Sequence, residues 1–329
     1  MPGPAPRGRT GDAAAENARC EGCHLDVAAE WRESWHRAAH TDPMVRHQLE
    51  REPFPFCTGC HAPEADPNAP VPAALGQLGV GCVTCHLVGD RILATASPRG
   101  PGRAPSPHPV TRTLGLGASA ECGACHQFAF PDAERERRPL LMQATMDEHE
   151  ASAYADRTCT SCHMPLVTGQ RDGAHRSHRF AASRDEAMVR SAIRVEQGPF
   201  VDDTLVLTLH PGEVGHAFPT GDVLRRLVIE LDVVDAQGRS VERAARPFQR
   251  RFRFLPAPFG PARRVPAEDD RIGATGAPVV FRYAPRARPV GGQLRYTLRY
   301  ERVWDPSGGP EGAAVVEGAV VLAEGALPL

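Results

Sequence analysis

Alternating hydrophobic and polar positions dominate the second half of the chain. Leu205, Leu207 and Leu209 alternate with the polar residues Thr204 and Thr208. The same period of two recurs over Leu227–Val233 and Leu294–Tyr300, and shorter runs occupy Val279–Tyr283 and Val315–Leu322. Several short strands separated by turn residues are typical of an antiparallel β-sandwich of immunoglobulin-like type, with a closed barrel as the alternative. We therefore predict an all-β domain over residues 186–329.

The first half of the chain lacks this alternation and has a different character. Leu25, Ala28, Trp31 and Trp35 recur at steps of three or four residues, which predicts one amphipathic helix. The composition changes near residue 185, so we predict a multidomain protein. Residues 1–18 are expected to be a disordered N-terminal segment, and residues 19–185 a mainly α-helical and irregular domain.

The cysteines of the first half follow one repeated pattern, Cys-x-x-Cys-His. It occurs five times and uses all ten cysteines of the chain. The motifs, numbered 1 to 5 in chain order, are Cys20, Cys23 and His24; Cys57, Cys60 and His61; Cys82, Cys85 and His86; Cys122, Cys125 and His126; and Cys159, Cys162 and His163. This is the pattern by which haem c is attached covalently, each thiol bonding one vinyl group while the histidine ligates iron. The sequence thus predicts five haem c groups.

Other uses of paired cysteines fit these residues less well. Zinc ribbons do not require a histidine after every second cysteine. A thioredoxin-like redox site uses a single Cys-x-x-Cys on a βαβ unit, and no such unit is evident around these motifs. A disulfide framework would rarely keep every pair at the same spacing.

The spacing of the motifs also bears on how the first domain is stabilised. About 35 residues accompany each motif, which is too few to bury a conventional hydrophobic core. We expect the macrocycles to form the core, and folding of this domain to depend on haem insertion.

Charge and hydropathy bear on whether the protein binds nucleic acid, crosses a membrane or is exported. The formal net charge is −2 and the sequence pI is about 6.7, so nothing indicates nucleic acid binding. No stretch approaches the roughly 20 apolar residues of a transmembrane helix. Residues 1–11 lack the apolar stretch of a signal peptide. Because c-type cytochromes of bacteria acquire haem outside the cytoplasmic membrane, we expect a periplasmic or extracellular protein whose leader was trimmed or whose translation starts further upstream.

Four segments carry a resemblance to a known family. The segments are motif 1 with the following Glu30–Ala38, Gly79–His86, Cys159–Pro165 and Gly215–Gly221. They resemble the multihaem cytochrome family that includes the tetrahaem electron carrier of ammonia oxidation. The resemblance implies stacked haems, a role in electron transfer and a β-domain that opens near Gly215.

Nine histidines lie outside the motifs and are candidates for the second axial position of each iron. They are His36, His40, His47, His108, His149, His175, His178, His210 and His216. The predicted ligands are His36, His108, His149, His178 and His216, where His36 and His216 rest on the family resemblance. For the fifth ligand His149 is preferred over His47. Imidazole is a favoured ligand of haem iron.

The leading functional hypothesis is electron transfer between redox partner proteins. The alternative is a multihaem oxidoreductase in which one open-coordination haem reduces or oxidises a small nitrogen or sulfur compound. Pentahaem nitrite reductases usually replace one motif histidine by lysine, whereas all 38 basic residues here are arginine. Tyr154 is the sole tyrosine of the first half, and nothing marks it as catalytic. A third possibility makes the β-domain a docking or ligand-binding module, which fold alone does not support.

Overall fold

The computed structural model describes residues 3–4, 11–51, 54–96, 107–131, 139–256, 263–274, 276–309 and 313–329. The chain divides into two compact units. The first comprises Met1–Phe128 and Asp156–Ala181, and the second Ala129–Ala155 and Ala182–Leu329. Residues 129–155 therefore group with the second unit. That residues 186–329 fold independently of residues 19–185 stays a prediction.

Short helices make up most of the first unit. They are α1 (Ala13–Cys23), α2 (Leu25–Arg32), α3 (Pro43–Arg51), α4 (Pro55–His61), α5 (Ala73–Leu78), α6 (Cys82–His86), α7 (Ser119–His126) and α9 (Cys159–His163). Each of the five motifs closes one of these helices, because α1, α4, α6, α7 and α9 end at a motif cysteine or histidine. The helices that carry the motifs are thus the framework of this unit.

Helix α1 begins inside the N-terminal segment that was predicted to be disordered. Asp12 caps α1, since its carboxylate accepts hydrogen bonds from the amides of Ala14 (2.9 Å) and Ala15 (3.2 Å). Residues 13–18 are therefore helical although they fall in the segment predicted to be disordered. The amphipathic helix around Trp31 is confirmed as α2, but it ends at Arg32, so Trp35 lies in the turns that follow.

Regular sheet structure and apolar burial are both sparse in the first unit. Its strands are β1 (Leu87–Val88), β2 (Arg91–Thr95), β3 (Thr111–Thr113), β6 (Leu166–Thr168) and β7 (Ala174–Arg176), while β4 (Gln127–Ala129) crosses the division between the units. The apolar cluster centres on Trp31, Leu78 and Val83. Among the described residues this apolar core is small for a unit of this length, and a core formed by the macrocycles stays a prediction.

Two antiparallel sheets build most of the second unit. The elements are β5 (Leu141–Ala144), α8 (Thr145–Glu150), α10 (Glu186–Ser191), β8 (Ile193–Gln197), β9 (Leu205–Pro211), β10 (Arg225–Val234), β11 (Ser240–Phe248), β12 (Arg250–Leu255), β13 (Arg263–Asp269), β14 (Val279–Tyr283), β15 (Gln293–Asp305) and β16 (Val315–Pro328). One sheet has the order β11-β10-β15-β16 and the other β14-β9-β8. Strands β12 and β13 form a separate two-stranded hairpin.

The alternating apolar residues of the predicted strands form the core of this unit. Leu205, Leu207 and Leu209 of β9 are at most 1% exposed. They share a cluster with Leu227 and Ile229 of β10 and with inward side chains of β15. Residues of both sheets therefore meet in one apolar core, and the predicted strands over these runs are confirmed.

Among the described residues, no helix has the length and hydrophobicity to span a bilayer.

The contrast between the two units predicts different folding requirements. We expect residues 186–329, expressed alone, to give the far-ultraviolet circular dichroism of a β-protein, because their core is made of side chains. Residues 19–185 without haem should give the spectrum of a largely unfolded chain. A disordered 186–329 fragment, or a folded haem-free N-terminal fragment, would contradict this expectation.

Candidate functional site

Motif 3 presents its three functional side chains from one helical face. In α6, Cys82 and Cys85 are three residues apart, and His86 is four residues from Cys82. Positions separated by three and four residues are neighbours on a helix surface. Helical geometry thus directs two thiols and one imidazole to the same side, as the attachment of a planar ring requires.

None of the ten cysteines is bound in a disulfide. Motifs distant in sequence also place their thiols side by side. Cys125 forms a hydrogen bond to Cys60 that lowers the pKa of the Cys60 thiol. A hydrogen bond with Cys159, together with burial, raises the pKa of Cys122. Motif 4 therefore contacts motifs 2 and 5.

Motifs 1 and 3 are joined by a buried asparagine. Asn17 of α1 is 1% exposed, and its side-chain oxygen accepts hydrogen bonds from the amides of Cys82 (2.7 Å) and Val83 (3.4 Å). Those amides begin α6 and have no acceptor within their own helix. Burial and the charge of Cys20 raise the pKa of Cys82 to about 12. The capping bond thus fixes the two motif helices against each other.

Motifs 4 and 5 are joined in a similar manner. The Ser119 hydroxyl at the start of α7 accepts a hydrogen bond from the Cys159 amide (3.3 Å). The Thr160 hydroxyl donates to the carbonyl oxygen of Gly117 (3.3 Å). Polar contacts at the beginning of α9 therefore set its position beside α7.

Three motif histidines face a second imidazole from outside the motifs. The ring centres of His24 and His108 are 6.3 Å apart. Those of His126 and His36 are 6.4 Å apart. Those of His86 and His178 are 6.2 Å apart. The sequence-predicted residues His108, His36 and His178 are thus each brought to one motif histidine.

This separation is the one that a shared metal ion requires. An imidazole nitrogen bonds a first-row metal at about 2.0–2.1 Å and lies about 1.1 Å from its ring centre, so two imidazoles on opposite sides of one metal have centres about 6.2–6.4 Å apart. Direct ring stacking would bring the centres closer, and aromatic pairs span a wider range of separations. The residues present therefore fit iron held between two imidazoles.

Backbone carbonyls orient many of these rings through Nδ1. His61 lies 2.6 Å from the oxygen of Ala39, and His163 lies 2.6 Å from that of Ala181. The Nδ1 atoms of His86 and His178 lie 3.1 Å from Leu93 O and 2.8 Å from Arg176 O. When Nδ1 of a neutral imidazole donates to a carbonyl, the lone pair of Nε2 is available for a metal.

Burial keeps two of the candidate ligands, His36 and His178, neutral. Burial, helped by the neighbouring His126, His178 and His163, lowers the pKa of His36 to about 3. Burial, helped by His86, lowers the pKa of His178 to about 4. The Nδ1 atom of His36 is buried without a hydrogen-bond partner among the described residues. A neutral nitrogen in such a position is suited to a metal.

His149 and His216 both belong to the second unit. His149 lies on α8, and its Nδ1 is 2.9 Å from the carbonyl oxygen of Gly215. The Nδ1 of His216 is 3.0 Å from the oxygen of Ala217. A cis peptide bond joins Phe218 to Pro219 in the same turn. The two rings thus come from segments that contact each other, and both turn Nδ1 to a backbone oxygen.

Two of the other histidines outside the motifs lie beside carboxylates. The Nε2 atom of His175 is 3.4 Å from Glu30. The Nε2 atom of His210 is 3.3 Å from Glu196. The Nε2 atoms of both residues are buried without a hydrogen-bond partner among the described residues, and neither residue was among the five predicted ligands.

Several residues that position the site were not recognised from the sequence. Nothing in the sequence around Asn17 indicates that it caps another helix. The carboxylate of Glu30 accepts a hydrogen bond from the His178 amide (2.7 Å), but the sequence pattern is that of an ordinary residue on a helix surface. Gly79 adopts φ +59° and ψ −129°, where a side chain is strongly disfavoured. The adjacent Val80 amide donates to His36 O (2.8 Å), so this turn supports the His36 segment.

Comparisons with known proteins bear on this arrangement. Residues 19–87, which contain motifs 1 to 3, match the family model described as cytochrome c554 and c-prime. A penta-haem cytochrome c552 from Thermochromatium tepidum has a similar structure, with a TM-score of 0.70 and 22% sequence identity, covering 99% of this chain and 100% of that chain. A search of curated protein sequences found no match. The structural likeness shows the fold, and the family match together with the motifs supports a multihaem c-type cytochrome.

The turn at Gly79 provides a test of how His36 is held. A Cβ atom at position 79 would lie 2.5 Å from the carbonyl oxygen of His36. We expect Gly79→Ala to destabilise the mature protein by about 1–3 kcal/mol and to reduce the low-spin signal in electron paramagnetic resonance. Gly89→Ala is the matched control, because Gly89 has φ +60° but no atom within 4 Å of the added Cβ. Equal effects of the two substitutions would show that backbone strain alone is responsible.

Proposed function

We propose that this chain, a multihaem c-type cytochrome, carries five haem c groups and transfers electrons between redox partner proteins. The observation that carries the proposal is the placement of three non-motif imidazoles at 6.2–6.4 Å from three motif imidazoles. Five covalent attachment motifs on helix faces support the count of five. A pair of imidazoles on each iron favours electron transfer over substrate binding.

The residue assignments follow from the motifs and the ring pairs. The ten motif cysteines would form the thioether bonds, and the five motif histidines would each bind iron from one side. His108, His36 and His178 would bind from the other side at motifs 1, 4 and 3. His149 and His216 remain the predicted ligands for the other two irons.

The protein residues would determine how these groups behave. When bound, haem supplies one-electron chemistry through the ferric and ferrous states of its iron. The backbone carbonyls of Ala39, Leu93 and Ala181 would fix the imidazole orientation, as metal-bound histidines generally require. Burial of His36 and His178 would keep both rings neutral and water away from the iron.

The contacts between motifs favour an array centred on motif 4. Its cysteines contact Cys60 of motif 2 and Cys159 of motif 5, and Cys85 of motif 3 contributes to the raised pKa of Cys122. Motif 1 joins the array through Asn17 and motif 3. Adjacent attachment sites are what a chain of electron carriers needs.

The remaining parts of the proposal concern location and fold type. We propose a periplasmic or extracellular location, since covalent haem attachment favours it. We also propose that the sandwich of the second unit is immunoglobulin-like, which its seven antiparallel strands in sheets of four and three support.

The haem count can be tested on protein matured in a host that attaches haem c. We expect denaturing mass spectrometry to give the polypeptide plus five haem masses, because every cysteine belongs to an attachment motif. Coulometric titration should then take up five electrons per chain. A mass with fewer haems, or with zinc retained, would contradict the proposal.

The axial assignments predict the effect of removing single imidazoles. His36→Ala, His178→Ala and His216→Ala should each convert one low-spin haem to high-spin, because alanine offers iron no ligand atom. His210→Ala is the matched control, since His210 lies beside Glu196. The measurement is the electron paramagnetic resonance spectrum of the oxidised protein.

An unchanged low-spin count in a variant would reject that histidine as a ligand. A parent protein in which one haem is already high-spin would instead favour the oxidoreductase alternative, because an open iron position is the usual mark of catalysis.

A further inference from the structure

The hairpin formed by β12 and β13 differs from the rest of the protein in charge. Residues 250–264 contain five arginines and no acidic residue, although the whole chain has a net charge of −2. The acidic residues that follow are engaged at the base of the hairpin. There Arg251 pairs with Glu268 (3.2 Å) and Asp270 (2.7 Å), and Arg246 pairs with Asp270 (2.6 Å). The positive charge is therefore concentrated in the outer part.

One face of the hairpin is attached to the second unit by aromatic contacts. Phe252 packs edge-to-face on the buried Phe130, with ring centres 4.9 Å apart. The guanidinium of Arg264 lies over the rings of Phe130 (4.0 Å) and Phe254 (5.0 Å). A two-stranded hairpin is marginally stable by itself, so these contacts hold it in place.

The opposite face is exposed. Side chains alternate between the faces of a strand, and Arg253 pairs in register with Val265 while Leu255 pairs with Arg263. Arg253 and Arg263 are exposed, and Leu255 retains 41% of its accessible surface. We call Arg253, Leu255 and Arg263 the basic hairpin face. Phe254, 59% exposed, pairs in register with Arg264 and therefore belongs to the packed face.

We propose that the basic hairpin face docks an acidic redox partner protein. Two exposed arginines flanking an apolar side chain form the kind of patch that protein interfaces favour, since arginine is enriched there. Clustered positive charge attracts a negatively charged surface during encounter and orients it. The partner's redox role rests on the proposed function, whereas its acidic character follows from the charge of the hairpin.

The mature protein can be tested with an acidic flavodoxin as the probe. Calorimetric titration at about 20 mM salt should show binding that Arg253→Glu/Arg263→Glu weakens about tenfold or more. The difference should shrink to below about threefold at 300 mM salt, because salt screens exposed charges. Arg282→Glu is the control, since Arg282 is an exposed arginine on β14. It should change the affinity less than about twofold.

Several outcomes would overturn the docking proposal. The proposal is wrong if the double variant binds flavodoxin with unchanged affinity, or if Arg282→Glu loses as much affinity as the double variant. It is also wrong if the wild-type protein binds anionic phosphatidylglycerol vesicles but not flavodoxin. Self-association in sedimentation that the double variant abolishes, with no flavodoxin binding, would assign the face to a second copy instead. Reduction by dithionite separates the two hypotheses. If dithionite reduces the haems but the substitutions do not change flavodoxin binding, the docking proposal is wrong and the proposed function stands. If dithionite does not reduce the haems, the proposed function is wrong, whatever the result for flavodoxin binding.

Discussion

Opposed imidazoles are the interaction on which the proposed organisation of the first unit depends. His126 faces His36, and His86 faces His178, at separations that iron between the rings requires. Each pair joins residues about 90 positions apart along the chain, so each would close a long loop. The apolar cluster around Trp31 is too small to organise these loops by itself. Coordination and thioether bonds would supply the missing stabilisation, as metal sites do in small domains.

Polar contacts specify how the motif helices pack around these positions. Asn17 caps α6, and Ser119 caps α9, so that each short helix has its exposed amides satisfied by a neighbouring motif. Such contacts are directional, whereas apolar packing is not. They therefore fix which motifs are adjacent in a unit whose described residues form only a small apolar core, and this adjacency supports the proposed array around motif 4.

The second unit is built on the opposite principle. Its two sheets bury alternating side chains such as Leu207 and Leu298, each fully inaccessible to solvent. A framework of this kind is rigid enough to carry an appended element. The hairpin of β12 and β13 is anchored by Phe130 on one face and presents arginines on the other. In this unit the core provides the stability, and the hairpin provides the positively charged surface.

The sequence by itself determined the attachment motifs and the strands, because both are local patterns. Three- and four-residue spacing on a helix, and a period of two in a strand, depend only on neighbouring residues. The helix at Trp31 was predicted correctly but not its end at Arg32, and the helical character of residues 13–18 was missed because Asp12 was not recognised as a cap. The sequence also supplied a surplus of histidines, but family resemblance was needed to rank His36 and His216. Only the tertiary structure decided which imidazoles face each other, that Asn17 and Gly79 position them, and that the arginines of β12 and β13 divide between a packed and an exposed face. Those decisions depend on contacts between residues far apart in the chain, which no local pattern encodes.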